Sequence, residues 1–339
     1  MTSALLGSTA QPLASEYDLA LLDLDGVILL GDRLVKDVAD VLHPAPMRLS
    51  FVTNNASRTP EQVAAHLTQL GLAGVDPNQV VTSAQAAARL LSQMLRPGDP
   101  VLVIGGQGLQ DAVIEQNLTP VTSMNDEPKA VVQGFSPHLN WEMLAEATIA
   151  VRSKIPWVAS NLDPTLPTSR GALPGNGSFV QLIANITGAS PIVAGKPQRH
   201  LFDETVRRED SLRPLVVGDR IDTDIQGAVN AQMDSLLVLT GVTDLEQVIK
   251  SGVRPTFVAP DLRSLTQVHP EVAINRAKAI CGQAVVAVES GALRVINPDA
   301  PLLEITRAIV ALAWHYFDTG DYSLHLSEAT KWVSGRINP

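Results

Sequence analysis

The sequence is poor in cysteine, which excludes the kinds of site that need several thiols. Cys281 is the single cysteine among 339 residues, so the chain can form neither a disulfide framework nor a four-cysteine zinc site. We expect this thiol to be buried rather than nucleophilic. Long apolar runs are also absent, since none approaches the roughly 18–20 residues that a membrane-spanning helix needs. Asp23 and Asp25 interrupt the apolar residues near the N-terminus, where a basic stretch is also missing, which argues against a signal peptide.

The sequence also has fewer basic than acidic residues. The chain has 25 Lys and Arg residues against 35 Asp and Glu residues, a formal charge of −10. Such a surface repels phosphate backbones and anionic lipids, so we expect no nucleic-acid partner and no membrane partner. An anionic substrate would need a local positive site, such as a metal ion. We expect a soluble, cytoplasmic protein of two or three domains, from a prior of about 150 residues per domain.

Short apolar runs alternate with segments of helical periodicity over most of the chain. This alternation predicts an α/β fold with parallel strands covered by helices on both faces. One well-marked helix should begin after Thr59, with Pro60 in its first turn and Gln62 completing a capping box, and should end at Gly71. The predicted buried strands cover residues 18–22, 48–52, 101–104, 130–132, 157–159, 215–217 and 236–239.

Polar residues directly follow four apolar segments. Parallel α/β sheets bind ligands at the carboxyl ends of their strands, which is where these residues would lie. A single DxDG sequence could equally be an acidic turn. Four strand ends that all carry polar or charged residues together favour a ligand-binding or catalytic site. The residues are Asp23 and Asp25 after the first strand, Thr53, Asn54 and Asn55 after the second, Lys196 after the segment IVAG, and Asp219 and Asp224 after LVVG.

These residue types are suited to phosphoryl transfer. Mg²⁺ prefers hard oxygen ligands, which the carboxylates of Asp23 and Asp219 and the carbonyl oxygen of Asp25 can supply. Asp23 could then attack phosphorus as a nucleophile, while the Asp25 carboxyl protonates the leaving alkoxide and later deprotonates water. Asp224 is expected to orient Lys196 or a metal-bound water.

The groups expected to bind the phosphoryl oxygens come from two other segments. Thr53 and the residues after it, Asn54 and Asn55, can donate hydrogen bonds to these oxygens. Lys196 can neutralise negative charge on both Asp23 and the phosphoryl group.

Four sequence segments, DLDG, VTNN, GKP and GDRIDTD, resemble in this order the four motifs of haloacid dehalogenase (HAD) superfamily phosphatases. The insert between the second and third segments resembles the type IIA cap of the p-nitrophenylphosphatase and phosphoglycolate phosphatase branch, with PTLPTSRGALPGNGS as its characteristic loop. Over its whole length the chain resembles bacterial glycerol-3-phosphate phosphatases, whose C-terminal extension is acetyltransferase-like.

The resemblance implies a Rossmann-like core with a parallel sheet, an inserted α/β cap of type C2 and a small C-terminal α/β extension. Composition and rhythm place the core at residues 1–95 and 189–268, the cap at 96–188 and the extension at 269–339. Within the cap, the sequence IGGQG at residues 104–108 favours a tight strand–helix turn over a dinucleotide loop, because the full glycine pattern is missing.

Since the core residues serve only the phosphoryl group, the cap must select the alcohol. Asn161, Asp163 and Arg170, in the loop rich in Pro and Gly, are the candidates to bind it, although Asp163 could instead cap its own turn. The resemblance favours a Mg²⁺-dependent glycerol 3-phosphate phosphatase. Phosphoglycolate, pyridoxal phosphate and nucleotide monophosphates stay open as alternative substrates of a small-metabolite phosphatase. The sequence also leaves open whether the protein forms a homo-oligomer. A phospho-accepting signalling domain and an inactive binding protein are distant alternatives.

Overall fold

The computed structural model describes residues 6–43, 45–168, 170–320 and 323–337. Its helices are α1 (Leu13–Glu16), α2 (Val38–Leu42), α3 (Pro60–Gln69), α4 (Ser83–Met94), α5 (Gln107–Glu115), α6 (Trp141–Arg152), α7 (Asn176–Thr187), α8 (His200–Glu209), α9 (Gln226–Ala231), α10 (Leu245–Lys250), α11 (Leu302–Asp318) and α12 (Ser327–Ile337). No helix in these described ranges is both long enough and apolar enough to cross a membrane.

Most of the strands up to residue 259 are separated by helices, the exceptions being the runs β1–β3, β7–β8 and β9–β11, and the strands after residue 259 follow one another directly. They are β1 (Leu19–Leu22), β2 (Leu29–Leu30), β3 (Arg33–Leu34), β4 (Arg48–Thr53), β5 (Val80–Thr82), β6 (Pro100–Ile104), β7 (Thr119–Val121), β8 (Ala130–Gln133), β9 (Trp157–Ala159), β10 (Thr165–Thr168), β11 (Gly171–Pro174), β12 (Ile192–Val193), β13 (Pro214–Gly218), β14 (Asp234–Val238), β15 (Phe257–Ala259), β16 (Val272–Asn275), β17 (Lys278–Cys281), β18 (Ala284–Glu289) and β19 (Ala292–Val295). All seven strands predicted from the apolar runs are present, with ends that differ by at most two residues.

The chain divides into two compact units, residues 1–49 with 211–339, and residues 50–210. In the first unit, β15, β14, β13 and β1 form a parallel array in that order. Their burial on both faces explains why these strands are almost wholly apolar. The predicted α/β class with parallel sheets is therefore confirmed.

The same unit contains the C-terminal residues, where the parallel rhythm stops as the sequence predicts. Strands β16 to β19 form an antiparallel sheet in sequential order, and α11 packs against β17, β18 and β15. One hydrophobic cluster includes Leu237 and Val258 of the parallel strands together with Val286, Ile305 and Ile309. The C-terminal residues and the parallel strands therefore share one core.

The second unit contains the parallel pair β4–β5 and a five-stranded parallel sheet in the order β12-β9-β8-β6-β7. Its own apolar core includes Leu102, Val131 and Ile183. The antiparallel hairpin β10–β11 lies in the predicted loop rich in Pro and Gly. The segment IVAG contributes β12 to the edge of the five-stranded sheet, beside β9. The four-part domain division made from the sequence stays a prediction.

Helix α3 shows how local sequence sets these elements. The Thr59 side chain accepts a hydrogen bond from the amide of Gln62, whose side chain accepts one from the amide of Thr59. This is the predicted capping box, and it satisfies two amide groups at the start of the helix. Gly71 follows the helix with a φ of 106°, a conformation that glycine adopts without strain.

Candidate active site

Three carboxylates of the first unit lie close together. Asp23 directly follows β1, Asp219 directly follows β13, and Asp224 lies in the helical turn Ile221–Ile225. Each offers an oxygen atom, and these three atoms lie within 4.8 Å of one another. The parallel pairing of β1 with β13 produces this proximity, since it aligns Leu22 with Val217 and lets the Asp23 amide donate to the Val217 carbonyl at 2.9 Å.

Asp219 is fully buried and is held by the backbone around it. The Val242 amide donates to its Oδ2 at 2.6 Å, and the Thr243 amide donates to its carbonyl oxygen at 3.2 Å. A Cβ atom at Gly26 or Gly241 would clash with the Asp219 carboxylate, and Gly26 also has a φ of 85°. Glycine is therefore required at both positions because the backbone approaches this carboxylate too closely for a side chain.

Asp224 and Asp25 differ in their surroundings. Asp224 is 1% exposed, and one of its carboxylate oxygens accepts a 3.1 Å hydrogen bond from the Arg220 amide. Asp25 is exposed and its carboxylate lies outside the three-carboxylate group. Asp25 lies in a tight turn, in which the Gly26 amide donates to the Leu29 carbonyl at 2.7 Å. The structure thus brings Asp224, as well as the predicted Asp23 and Asp219, to a potential cation site.

Asp222, which belongs to the same GDRIDTD segment as Asp219 and Asp224, forms an ion pair with Arg220. The Arg220 guanidinium donates to both carboxylate oxygens of Asp222, at 3.0 Å and 2.7 Å. These hydrogen bonds hold the pKa of the Asp222 carboxyl below its usual range. Asp222 is exposed and is paired with Arg220, which separates it from the three-carboxylate group.

In the second unit, the predicted phosphate-binding residues end strand β4. Thr53 is buried, and its hydroxyl oxygen accepts a hydrogen bond from the Asn55 amide at 3.0 Å. The Asn55 side chain accepts from both the amide and the hydroxyl of Ser57, at 2.9 Å and 2.8 Å. The Asn55 side chain therefore shapes the loop after β4, a contribution that its sequence position alone did not reveal.

Lys196 lies beside the same strand end. Its side chain is 4% exposed, and Nζ lies 3.5 Å from the Val52 carbonyl oxygen. Its backbone amide donates to Asn54 Oδ1 at 2.8 Å, and its carbonyl oxygen accepts from Asn54 Nδ2 at 3.2 Å. The structure thus brings Thr53, Asn54 and Lys196 together within this unit.

The predicted alcohol-binding residues separate into two groups. Asn161 donates from Nδ2 to the Asn54 carbonyl oxygen at 2.7 Å, and the Asp163 carboxylate accepts from Asn54 Nδ2 at 3.2 Å. Asn161 Oδ1 accepts from the Asp163 amide at 3.1 Å, so the Asn161 side chain closes this turn. Arg170 is exposed at the tip of the β10–β11 hairpin. Asn161 and Asp163 therefore contact the segment after β4, and Arg170 lies at the hairpin tip.

Sequence reasoning missed Asn176, which is 1% exposed and supports this loop. Its Nδ2 donates to the Asn161 carbonyl oxygen at 2.7 Å. A Cβ atom at the neighbouring Gly177 would clash with the backbone of Leu162. Asn176 belongs to the GNG sequence that marks the loop, but this pattern does not indicate which residue Asn176 contacts.

Two family profiles match most of the expected core. Residues 20–119 match the haloacid dehalogenase-like hydrolases, and residues 193–265 match the HAD-hydrolase-like family. The D-glycerol 3-phosphate phosphatase of Mycobacterium tuberculosis is 43% identical over 308 residues, which are 89% of this chain and 87% of that protein.

Solved structures agree with this relationship. The glycerol phosphate phosphatase of Mycobacterium tuberculosis, crystallised with magnesium, superposes with a TM-score of 0.84 at 42% identity, over 97% of this chain and 99% of that one. The p-nitrophenyl phosphatase of Archaeoglobus fulgidus superposes with a TM-score of 0.68 at 27% identity, over 74% of this chain and 98% of that one. The resemblance drawn from the four motifs is confirmed, and the chain belongs to the haloacid dehalogenase-like hydrolases.

Proposed function

We propose that this protein is a Mg²⁺-dependent phosphomonoester hydrolase that acts through an aspartyl-phosphate and prefers glycerol 3-phosphate. The observation that carries the proposal is the group formed by Asp23, Asp219 and Asp224, three carboxylates with oxygens within 4.8 Å of one another. A like-charged group of this density, with two members buried, is stabilised by a cation. Its all-oxygen composition fits Mg²⁺, which avoids soft ligands and retains part of its water shell.

The residues that would hold the ion are Asp23 and Asp219 through their carboxylates and Asp25 through its carbonyl oxygen. Asp224, whose carboxylate joins the group, would orient this site from the buried side. The ion supplies charge neutralisation, which lets an anionic nucleophile approach an anionic phosphoryl group.

In the first proposed step, Asp23 attacks phosphorus, so that an oxygen–phosphorus bond forms and the bond from phosphorus to the alcohol oxygen breaks. Asp25 gives its proton to the departing alkoxide. In the second step, Asp25 takes a proton from water as the water oxygen bonds to phosphorus, and the bond between Asp23 and phosphorus breaks, so that inorganic phosphate leaves and the Asp23 carboxylate is restored. The exposure of Asp25 supports the second step, since water can reach its carboxylate.

Thr53 and the Asn54 amide are proposed to donate hydrogen bonds to the phosphoryl oxygens, with Asn55 shaping their loop. Lys196 is proposed to neutralise the charge that these oxygens carry in the transition state. Its burial supports the role, because an ammonium group acts more strongly where water is scarce.

Glycerol 3-phosphate is favoured because the Mycobacterium tuberculosis relative that matches 89% of this chain carries that activity in its name. Arg170, at the hairpin tip, and Asn161 are proposed to select the alcohol. Phosphoglycolate, pyridoxal phosphate and nucleotide monophosphates are the competing substrates. We also propose that the protein acts in the cytoplasm on a free metabolite, which its net charge of −10 supports by disfavouring polyanionic partners.

The test is phosphate release from a panel containing these four substrates and p-nitrophenyl phosphate, measured with Mg²⁺ and with a chelator. Mg²⁺-dependent release that is fastest with glycerol 3-phosphate supports the proposal. Release that is equally fast with the chelator would reject the metal. A phosphorylated protein stable for minutes, without turnover, would instead favour the phospho-accepting signalling domain.

A further inference from the structure

The side-chain amide of Asn54 contacts both backbone groups of Lys196. Asn54 Oδ1 accepts from the Lys196 amide at 2.8 Å, and Asn54 Nδ2 donates to the Lys196 carbonyl oxygen at 3.2 Å. This two-point contact reproduces the exchange of hydrogen bonds between paired strand residues. It fixes the main chain of Lys196, from which the buried ammonium group extends.

The contact works in one orientation of the amide only. If the Asn54 amide rotated by half a turn, its NH₂ group would face the N–H of Lys196, donor against donor. The Asp163 carboxylate, which accepts from Nδ2 at 3.2 Å and 3.4 Å, opposes that rotation because an ionised carboxylate only accepts. Asp163 therefore selects the amide orientation that fits Lys196.

The backbone of Asn54 is held equally firmly. Its carbonyl oxygen accepts from Asn161 Nδ2 at 2.7 Å and from the Ser83 hydroxyl at 2.5 Å. A Cβ atom at Gly195 would lie 2.5 Å from Asn54 Oδ1, so the residue before Lys196 has no room for a side chain. This packing leaves the Asn54 amide little freedom except rotation, which Asp163 controls.

We propose that Asp163 and Asn54 form a positioning pair that sets the main chain, and through it the ammonium group, of Lys196. This inference rests on the proposed function, in which Lys196 serves the phosphoryl group. Asp163 then acts on the step common to all substrates, although it belongs to the loop expected to read the alcohol. Its loss changes hydrolysis of every phosphomonoester by the same factor.

The experiment compares wild type with Asp163→Ala and Asp163→Asn, using kcat and KM for glycerol 3-phosphate and for p-nitrophenyl phosphate. For Asp163→Ala we expect kcat to fall roughly 10–100-fold with both substrates, because misplacing a catalytic group by about 1 Å can cost this much. The ratio of the two kcat/KM values should stay within about twofold of wild type, the discrimination expected when no substrate contact is lost. Asp163→Asn, whose Oδ1 can still accept from Asn54, should recover most of the lost kcat.

Asp111→Ala is the matched control, because Asp111 lies in the same unit and its carboxylate accepts from Gln107 Nε2, one helical turn away, at 2.7 Å. It should leave both kcat values unchanged. If Asp163→Ala fails to fold, Asn54→Asp replaces it, since a carboxylate there cannot donate to the Lys196 carbonyl oxygen and repels Asp163. The same uniform loss of kcat is expected.

A loss confined to glycerol 3-phosphate, or a rise in KM alone, would overturn the proposal and make Asp163 an alcohol-binding residue. Unchanged kinetics in Asp163→Ala would overturn it as well. A wild-type protein that hydrolyses neither substrate would reject the proposed function itself, together with this inference. The wild-type measurement therefore separates the two failures.

Discussion

Arg307 donates from Nη1 to His269 Nδ1 at 3.2 Å, although both side chains are fully buried. The acceptor nitrogen of His269 must therefore be unprotonated, and its other nitrogen donates to the Ser264 carbonyl oxygen at 3.1 Å. Arg307 also donates to the carbonyl oxygens of Pro270 and Gly7, at 2.8 Å and 2.7 Å. One guanidinium group thus joins the N-terminal segment, the residues after the parallel strands and helix α11.

This arrangement predicts a loss of stability in mild acid. Burial, and then the charge of Arg307, lowers the pKa of His269 from 6.5 to about 4. The unfolded chain therefore binds this proton more readily, so the stabilisation is present above pH 6.5 and is lost as the pH falls toward 4. Between pH 7 and pH 5 the free energy of unfolding should fall by about 2 kcal/mol more in wild type than in His269→Gln. Urea unfolding at the two pH values measures this difference, and equal losses in the two proteins would contradict the prediction.

Asp23→Asn tests the nucleophile. The amide keeps the shape of the carboxylate but removes the charge that attacks phosphorus, and the backbone hydrogen bond from residue 23 to Val217 is unaffected. Turnover should fall at least ~10³-fold, a loss of about 4 kcal/mol in transition-state stabilisation. Steady-state kinetics with a matched thermal unfolding curve checks this. A variant that retains a tenth of wild-type turnover would exclude the covalent scheme.

Asp219→Asn and Asp224→Asn test the cation site by the same conservative change. The side-chain amide introduced at position 219 can still accept from the Val242 amide, so the fold should tolerate the loss of charge. We expect the Mg²⁺ concentration for half-maximal activity to rise by at least about tenfold for Asp219→Asn, or about 1.4 kcal/mol, and by less for Asp224→Asn. Mg²⁺ titrations provide the comparison. A midpoint for Asp219→Asn equal to that of wild type would remove Asp219 from the ligand set.

Gly108→Ala tests how the IGGQG segment supports the loop after β4. A Cβ atom at residue 108 would lie 2.6 Å from the Arg58 carbonyl oxygen and 3.1 Å from that of Ala56. Overpacking of this kind should cost about 1–3 kcal/mol of unfolding free energy and should also lower kcat. Gly335→Ala is the control, since no atom lies within 4 Å of a Cβ there and helix α12 should gain up to about 1 kcal/mol. Destabilisation by both substitutions would point to a general intolerance of alanine instead.

Arg170→Ala tests selection of the alcohol. Because Arg170 is exposed at a hairpin tip, its removal should leave the fold intact. We expect kcat/KM for glycerol 3-phosphate to fall roughly 10–100-fold, with a much smaller loss for p-nitrophenyl phosphate, which offers no alcohol hydroxyl groups to bind. The ratio of the two values before and after substitution is the measurement. A constant ratio would show that selectivity originates elsewhere.

The sequence was most informative where short patterns and general rules of α/β folds apply. The capping box of Thr59 and Gln62, the parallel strands and the proximity of Asp23 to Asp219 all follow from short patterns and from the rule that parallel strands present their carboxyl ends together. The chemical roles of the carboxylates stay predictions.

Individual side-chain hydrogen bonds between distant residues were beyond such patterns. Asn54 and Lys196 are 142 residues apart, and nothing in their spacing indicates that one side chain would bind the backbone of the other. Arg307 was missed for a related reason. The buried apolar residues Ile305, Ile309 and Leu312 of α11 recur at helical spacing, but Thr306 and Arg307 are also buried, because the helix is covered on more than one face.

The shared core of the first unit limits how this chain can be shortened. A protein ending near residue 268 would expose Leu237 and Val258, which the described structure packs among Ile305, Ile309 and their neighbours. Exposed apolar patches of this kind promote self-association. The C-terminal residues thus keep the apolar side chains of strands β14 and β15 away from solvent. A related protein that lacks these C-terminal residues would need polar side chains at the corresponding positions of β14 and β15.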